Sequence, residues 1–178
     1  MRTTKIEPAT LADLPGILAA YDAGRTVQRA QASIVWPIFT DDAIAREIAS
    51  GVLFRVVDES VVTGVFSMID EDALIWGDEE LGAHLYLHRI ARAATLKSRG
   101  LVDTILTWAR GQCQLRGRAG LRMDTWASNH ALIAYYAARG FQLVGTRMLP
   151  GDPRLAPHYH GIELALLELA CAGGRTHQ

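Results

Sequence analysis

The stretch from Asn129 to Phe141 constrains the fold more than any other part of the chain, because it contains signals for both ends of one helix. Ser128 or Asn129 can act as the N-cap, since a short polar side chain accepts hydrogen bonds from the first amides of a helix. Gly140 can end the helix, because glycine adopts the left-handed conformation at little cost. An apolar run follows from Phe141 and is typical of a strand. We therefore predict a helix, a sharp turn and a strand.

A second informative stretch spans residues 84–102. Its first part alternates like a strand, and from Leu101 onwards apolar residues recur at helical spacing, with Gly100 at the junction. The first amides of a helix have no partner within the helix and lie at the positive end of its dipole. Such a turn can bind a phosphate group through backbone donors, and Lys97 and Arg99 add positive charge beside it.

Together, these stretches resemble the signature motifs of the GNAT superfamily of N-acetyltransferases. Residues 129–141 are similar to the second motif, in which an asparagine and a tyrosine flank the thioester of acetyl-coenzyme A. Residues 97–102 resemble the first motif, Arg/Gln-x-x-Gly-x-Gly/Ala, at the family's usual distance upstream. The resemblance implies that acetyl-CoA is the acyl donor and that it is bound by Ile90, Ala91, Arg92, Lys97, Ser98, Arg99, Gly100, Leu101, Val102, Asn129 and Tyr136.

The order of the predicted elements indicates an α/β fold. Two helices are followed by a hairpin, then strand, helix, strand and helix, and finally two strands, which suits one sheet flanked by helices. The resemblance implies the GNAT fold, a single mixed central sheet whose parallel strands 4 and 5 splay apart. With 178 residues, 49% of them hydrophobic, the chain can form one core. We predict a single domain over residues 1–170 and a short C-terminal tail over residues 171–178.

Two connecting segments are predicted to lack regular structure. Thr26 to Pro37 has little periodicity, so it either shapes an acceptor pocket or is an ordinary surface connection. Asp70 to Glu80 is acidic and reads as a solvated loop. Trp36 and Trp126 are open to two interpretations, as walls of an acceptor pocket or as residues at the edge of the core.

Composition excludes several classes of partner. The net charge of −1 and the lack of a basic cluster argue against nucleic acid, and no apolar window is long enough to cross a membrane. Two distant cysteines without CxxC spacing predict neither a disulfide framework nor a zinc cluster. His158 and His160 could share a strand face, but no further ligand stands at a matching offset, so we expect no metal. We expect a cytoplasmic protein, and the resemblance suggests a homodimer.

Acetyl transfer to an amine needs a base for the amine and an acid for the departing thiolate. The resemblance assigns the acid to Tyr136. For the base we favour His88, whose imidazole titrates in the useful range and which strand alternation places on one face with Tyr86 and Ile90. Each of these side chains could instead be a packing residue. Asp124, Glu79 and Glu80 are alternative bases.

Two functions follow from these patterns. The first is an N-acetyltransferase that uses a ternary complex to transfer the acetyl group from acetyl-CoA to a primary amine of a small molecule or protein. The second is a GNAT-fold acyl-CoA sensor or interaction module with weakened catalysis. Val102 favours the second, because it stands where the motif has a small residue, as does Tyr86, which stands where some relatives have a glutamate. The sequence does not identify the amine.

Overall fold

The structure, a computed structural model, describes residues 4–31, 34–77, 82–93, 100–155 and 157–171. The described strands are β1 (Thr4–Pro8), β2 (Leu53–Asp58), β3 (Val61–Ile69), β4 (His84–Arg92), β5 (Gly120–Trp126), β6 (Gln142–Met148) and β7 (Glu163–Ala170). The described α-helices are α1 (Leu14–Ala30), α2 (Asp41–Ala49), α3 (Ala73–Trp76), α4 (Leu101–Leu115) and α5 (His130–Ala137).

The chain forms two compact units, and β4 and α4 each contribute residues to both. The first unit comprises Met1–Met68 and His88–Trp108, and the second comprises Ile69–Leu87 and Ala109–Gln178. The single domain over residues 1–170 stays a prediction.

The first unit contains an antiparallel sheet with strand order β1-β2-β3, and β3 is followed by the end of β4. The β2–β3 hairpin turns through Glu59 and Ser60, whose φ angles are 48° and 75°. Two positive φ values in a two-residue loop match the twist of the flanking strands. Beyond β4, the Ala93 amide donates to the Thr63 carbonyl over 3.0 Å.

Helices α1 and α2 cover the core of this unit. Thr40 caps α2, because its hydroxyl accepts from the Ala43 amide over 3.3 Å. The buried residues of this core cluster come from α1, α2 and the strands, and they are Ala9, Ile17, Ala20, Tyr21, Ile44, Leu53, Val65 and Ala91. This packing, more than local propensity, holds the helices in place.

The second unit has strand order β4-β5-β7-β6 and mixes both pairing directions. Its parallel ladder joins His84–Tyr86 of β4 to 120–122 of β5, so it covers only the first part of each strand. The β5–β7 and β6–β7 ladders are antiparallel. The predicted α/β fold with a mixed sheet, parallel β4 and β5, and flanking helices is confirmed.

Two predicted loops contain more regular structure than the sequence indicated. Residues 26–30 of the expected loop belong to α1, where the Thr26 hydroxyl donates to the Asp22 carbonyl over 3.0 Å. The acidic stretch contains α3, and Asp70 forms ion pairs with Arg116 and Arg118 at 3.3 and 3.0 Å. Tertiary contacts therefore order segments in which the sequence shows little periodicity.

Both cysteines, Cys113 and Cys171, are free and buried. Burial and the neighbouring Cys171 thiol raise the pKa of Cys113 to about 12. Its thiol is therefore protonated and poorly reactive at neutral pH. In the described part of the chain, no helix is long and apolar enough to span a bilayer.

Candidate functional site

Helix α5 begins at the predicted asparagine. Of the two candidates for its cap, Asn129 is the one used: its Oδ1 accepts from the Leu132 amide over 3.1 Å. The Asn129 carbonyl also accepts the first helical bond, from the Ile133 amide at 3.0 Å. The cap uses only the oxygen of the side-chain amide. The two N–H donors on Nδ2 are still available for a ligand.

Tyr136 lies in the last turn of α5 and is 7% exposed. Its ring packs against Phe141 and Tyr135 at centroid distances of 5.6 and 5.4 Å. Burial, with a smaller contribution from Tyr135, raises the pKa of this phenol well above its usual value, although Arg139 opposes the shift. Tyr136 is therefore protonated at neutral pH and can donate a proton, as an acid must.

The predicted glycine stop of α5 is confirmed. Gly140 has a φ of +93°, and the Phe141 amide donates back to the Tyr136 carbonyl over 3.2 Å. A side chain on Gly140 would also approach Leu169, whose Cδ1 lies 3.2 Å from the position of an added Cβ. The helix end is thus tied to both the turn and the sheet.

The end of β4 carries His88 and the predicted donor-binding residues Ile90, Ala91 and Arg92. His88 and Ile90 are half-buried, Ala91 is buried in the core, and Arg92 is exposed. Arg89 has a φ of +51°, which is outside the β region. This left-handed residue interrupts the regular alternation that we used to place His88 and Ile90 on one face.

Helix α4 starts where the sequence predicted it. Gly100 has a φ of +81°, and its carbonyl accepts from the Thr104 amide over 2.9 Å. No described residue lies within 4 Å of the position that a Cβ on Gly100 would take. The first amides of α4 follow this glycine, and such amides have no partner within the helix. The predicted contacts Lys97, Ser98 and Arg99 lie outside the described residues.

Leu101 and Val102, the other predicted contacts in this turn, differ in their surroundings. Leu101 is buried, and its two methyl carbons lie only 2.6 and 2.7 Å from where a Cβ on Gly64 would be. Its side chain therefore anchors α4 on β3, and only its backbone amide can serve a ligand. Val102 is half-buried.

The candidate base Asp124 is half-buried on β5, two residues before Trp126. Trp126 is 6% exposed and contacts the rings of His158 and Tyr159 at 6.1 and 5.7 Å. No pattern in the sequence indicated that these three rings lie together. An aromatic residue at the end of a strand and a His-Tyr pair in a distant loop share no local pattern. The other candidate bases, Glu79 and Glu80, lie outside the described residues.

Three further side chains that the sequence singled out are His158, His160 and Trp36. His158 lies in a 3₁₀ turn, and His160 Nε2 lies 2.9 and 3.2 Å from the carbonyls of Asp152 and Leu155. The two histidines therefore do not share a strand face. Trp36 is held by the rings of Tyr21 and Phe39, and its amide donates to Gln28 Oε1 over 2.8 Å.

The structure thus defines two groups of predicted site residues. The first unit holds His88, the 90–92 segment and the start of α4 at 100–102. The second unit holds Asn129, Tyr136 and Asp124. The first group offers backbone donors next to a glycine turn, and the second offers an amide and a protonated phenol.

Comparison with known proteins identifies relatives of this chain. No protein-family model matches it. A 74-residue segment, 42% of this chain, is 30% identical to the uncharacterized N-acetyltransferase YesJ of Bacillus subtilis (strain 168) and spans 41% of that protein. The match therefore spans about two fifths of the curated relative.

Solved structures resemble the chain over nearly all of its length. An acetyltransferase of the GNAT family from Listeria monocytogenes 4b F2365 has a TM-score of 0.72 at 18% identity, covering 94% of each chain. The yncA protein from Salmonella typhimurium, solved with its cofactor acetyl-CoA, has a TM-score of 0.64 at 13% identity and covers 99% of this chain and 98% of its own. Together with the parallel pairing of β4 and β5, this similarity shows that the chain has the fold of the GNAT acetyltransferases.

Proposed function

We propose that this protein is an N-acetyltransferase that transfers the acetyl group of acetyl-CoA directly to a primary amine in a ternary complex. The observation that carries the proposal is Tyr136, a buried phenol in the last turn of a helix that Asn129 caps. A related fold solved with acetyl-CoA, and a relative named as an N-acetyltransferase, support the same activity. The acceptor is a small molecule or a protein amino group.

The residues present suit the proposed donor. The pyrophosphate would bind at Gly100 and the first amides of α4, since helix N-termini bind such anions. The backbone of 90–92 would contact the pantetheine arm, and the Asn129 Nδ2 donors would lie near the thioester. Lys97, Ser98 and Arg99 belong to this proposed donor site as well. Acetyl-CoA would supply an activated acetyl group.

Two proton transfers accompany the reaction. The amine must lose a proton because a primary amine with a pKa near 10 is mostly protonated at neutral pH. We assign this step to His88, with Asp124, Glu79 and Glu80 as alternatives. The thiolate that leaves receives a proton from the Tyr136 hydroxyl, and solvent restores that proton. Holding the two substrates together contributes in addition to these proton transfers.

Calorimetric titration with acetyl-CoA tests the donor site. We expect micromolar affinity, about 8 kcal/mol, that weakens in Asn129→Ala and is unchanged in the neighbouring variant Ser128→Ala. Release of free thiol in the presence of an amine panel then tests transfer. A folded, CoA-free protein that neither binds acetyl-CoA nor releases thiol would contradict the proposal.

One observation supports the alternative function, an acyl-CoA sensor or interaction module. Val102 is half-buried in the first turn of α4, where the motif has a small residue and a branched side chain adds bulk. If this bulk restricts the donor, Val102→Gly should tighten binding of acetyl-CoA. Tight binding without turnover of any amine would favour the sensor. The expected homodimer and cytoplasmic location stay predictions.

A further inference from the structure

Arg89 combines an unusual backbone with an unusually well-held side chain. Three non-glycine residues in the described part of the chain have positive φ, and two of them form the β2–β3 turn. The third, Arg89, lies inside β4 with a φ of +51°. For an L-residue, this conformation costs about 1–2 kcal/mol. It persists only where surrounding contacts compensate.

The compensating contacts come from four other segments of the first unit: α1, the residues before α2, α2 itself and β3. The Arg89 Nη2 group donates to the Glu47 carboxylate on α2 and, over 2.8 Å, to the Ser67 hydroxyl on β3. The guanidinium also lies 5.6 Å from the ring centre of Tyr21 and 5.1 Å from that of Phe39. The Arg89 side chain is 19% exposed and that of Glu47 is 28% exposed, so water screens this ion pair only in part.

The surroundings of the guanidinium favour a cation. Burial raises the pKa of Tyr21 to about 12, so its ring stays a neutral phenol beside the charge. A cation next to aromatic faces gains further attraction from them. Removing the Glu47 charge would take an anion from beside a partly buried cation, which is more costly than losing an exposed pair.

The left-handed turn at Arg89 sets the course of the residues that follow. Ala91 is buried in the core cluster, and the Ala93 amide is bonded to Thr63 of β3. The 90–92 backbone, which the proposed function assigns to the donor, lies between Arg89 and Ala93. A change of φ at Arg89 would redirect its peptide groups.

We propose that Glu47 is a positioning residue, which with Ser67 holds Arg89 so that the left-handed turn presents the 90–92 backbone to the acyl donor. This inference rests on the proposed function, because it concerns the same donor site. Glu47 acts through Arg89 and does not touch the acetyl group.

Four variants test the inference. Glu47→Gln removes the charge, Arg89→Ala removes the side chain and disfavours positive φ, and Arg89→Gly removes the side chain but permits that φ. Glu7→Gln is the matched control, since Glu7 pairs with Arg55 at 3.0 Å elsewhere in the same unit. Calorimetry measures the Kd of acetyl-CoA, and amide hydrogen exchange measures protection over residues 90–93 without ligand.

We expect the Kd of acetyl-CoA to rise about tenfold in Arg89→Ala and about fivefold in Glu47→Gln, while Arg89→Gly falls between wild type and Arg89→Ala. The KM for the amine should not change, because only the donor site is redirected. Protection of the 90–93 amides should fall in Glu47→Gln and stay at the wild-type level in Glu7→Gln. A general loss of stability would not divide the effects in this way.

Wild-type Kd and wild-type protection in folded Glu47→Gln and Arg89→Ala would overturn the inference and leave the proposed function standing. If the wild-type protein does not bind acetyl-CoA, the proposed function fails, and with it the donor role assigned here. Hydrogen exchange then still reports whether Glu47 holds the turn. The two failures are therefore distinguishable.

Discussion

Helix α5 and the left-handed turn in β4 both shape predicted donor-binding residues, but different interactions determine them. Helix α5 is defined by neighbours in sequence: Asn129 caps it over 3.1 Å, and Gly140 ends it with a φ of +93°. The turn at Arg89 is defined by side chains 22 and 42 residues away. A site can thus combine one part that local sequence specifies with another that depends on packing.

The largest expected effect is on kcat, and it concerns Tyr136 in the last turn of α5. Tyr136→Phe should lower kcat about 100-fold, the lower end of the usual contribution of a general acid. Stability should change little, because the ring keeps its packing against Phe141. Steady-state kinetics and thermal melting measure the two quantities.

Tyr135→Phe is the control for this prediction, since Tyr135 is the adjacent phenol and is 39% exposed. Its kcat should match that of the wild type. A wild-type kcat in Tyr136→Phe would show that local capping of α5 positions a packing residue and not an acid.

Gly64 tests the contribution of tertiary packing to the position of α4. Gly64→Val should lower the free energy of unfolding by about 1–3 kcal/mol, because the new side chain would overlap Leu101 at the start of α4. Chemical denaturation measures the loss. In Gly111→Ala, on the same helix and with no described atom within 4 Å of the added Cβ, the stability should be unchanged or slightly higher. Equal stabilities of the two variants would argue against close packing at α4.

Two roles of Asn129, capping α5 and binding the acyl donor, can be measured separately. Asn129→Ala should cost about 1 kcal/mol of stability through loss of the cap, whereas Asn129→Asp should retain it. If the Nδ2 donors bind acetyl-CoA, Asn129→Asp should nevertheless raise the Kd of acetyl-CoA, because a carboxylate has no N–H donors. Denaturation and calorimetry on both variants separate the two roles. Equal Kd values for Asn129→Asp and wild type would limit Asn129 to capping.

The smallest effects concern pH. Burial raises the pKa of both Tyr136 and Tyr21 above the usual value for a tyrosine, about 10, so no alkaline loss of kcat from Tyr136 should occur below about pH 10. A phenol with a raised folded-state pKa stabilises the fold while protonated. This stability is present below the unfolded value and is lost as pH rises toward the folded value, about 12 for Tyr21.

Unfolding free energies measured from pH 8 to 11 check this sign. They should begin to fall near pH 10, and Tyr21→Phe should reduce the fall. A decline that starts near pH 8 and persists in that variant would point to another titrating group.

Most of the elements could be predicted, because their signals are local. The Thr40 cap, the β2–β3 turn and the Gly140 stop each depend on a few adjacent residues. The misplaced boundaries have tertiary causes. The 26–30 segment continues α1, and Trp36 packs against Gly24 of that helix, 2.9 Å from the position of an added Cβ.

The candidate site follows the same division. Asn129, Tyr136 and Gly100 lie where local patterns placed them, at a helix cap, a buried helix end and a left-handed turn. No local pattern indicated the left-handed conformation of Arg89, because a positive φ inside a strand has no signal in the residue itself.

Local patterns in the sequence specify most of the helices and strands, the helix ends and the residue types that suit an acyl donor. Hydrophobic period, capping and glycine conformation act over a few residues, so they can be recognised in the sequence. Tertiary contacts specify the rest of the site. Leu101 packs on Gly64, and Trp126 packs against the rings of His158 and Tyr159. Glu47 and Ser67 hold Arg89 in a left-handed turn. These contacts join residues distant in sequence, and each depends on burial and charge that exist only once the chain has folded.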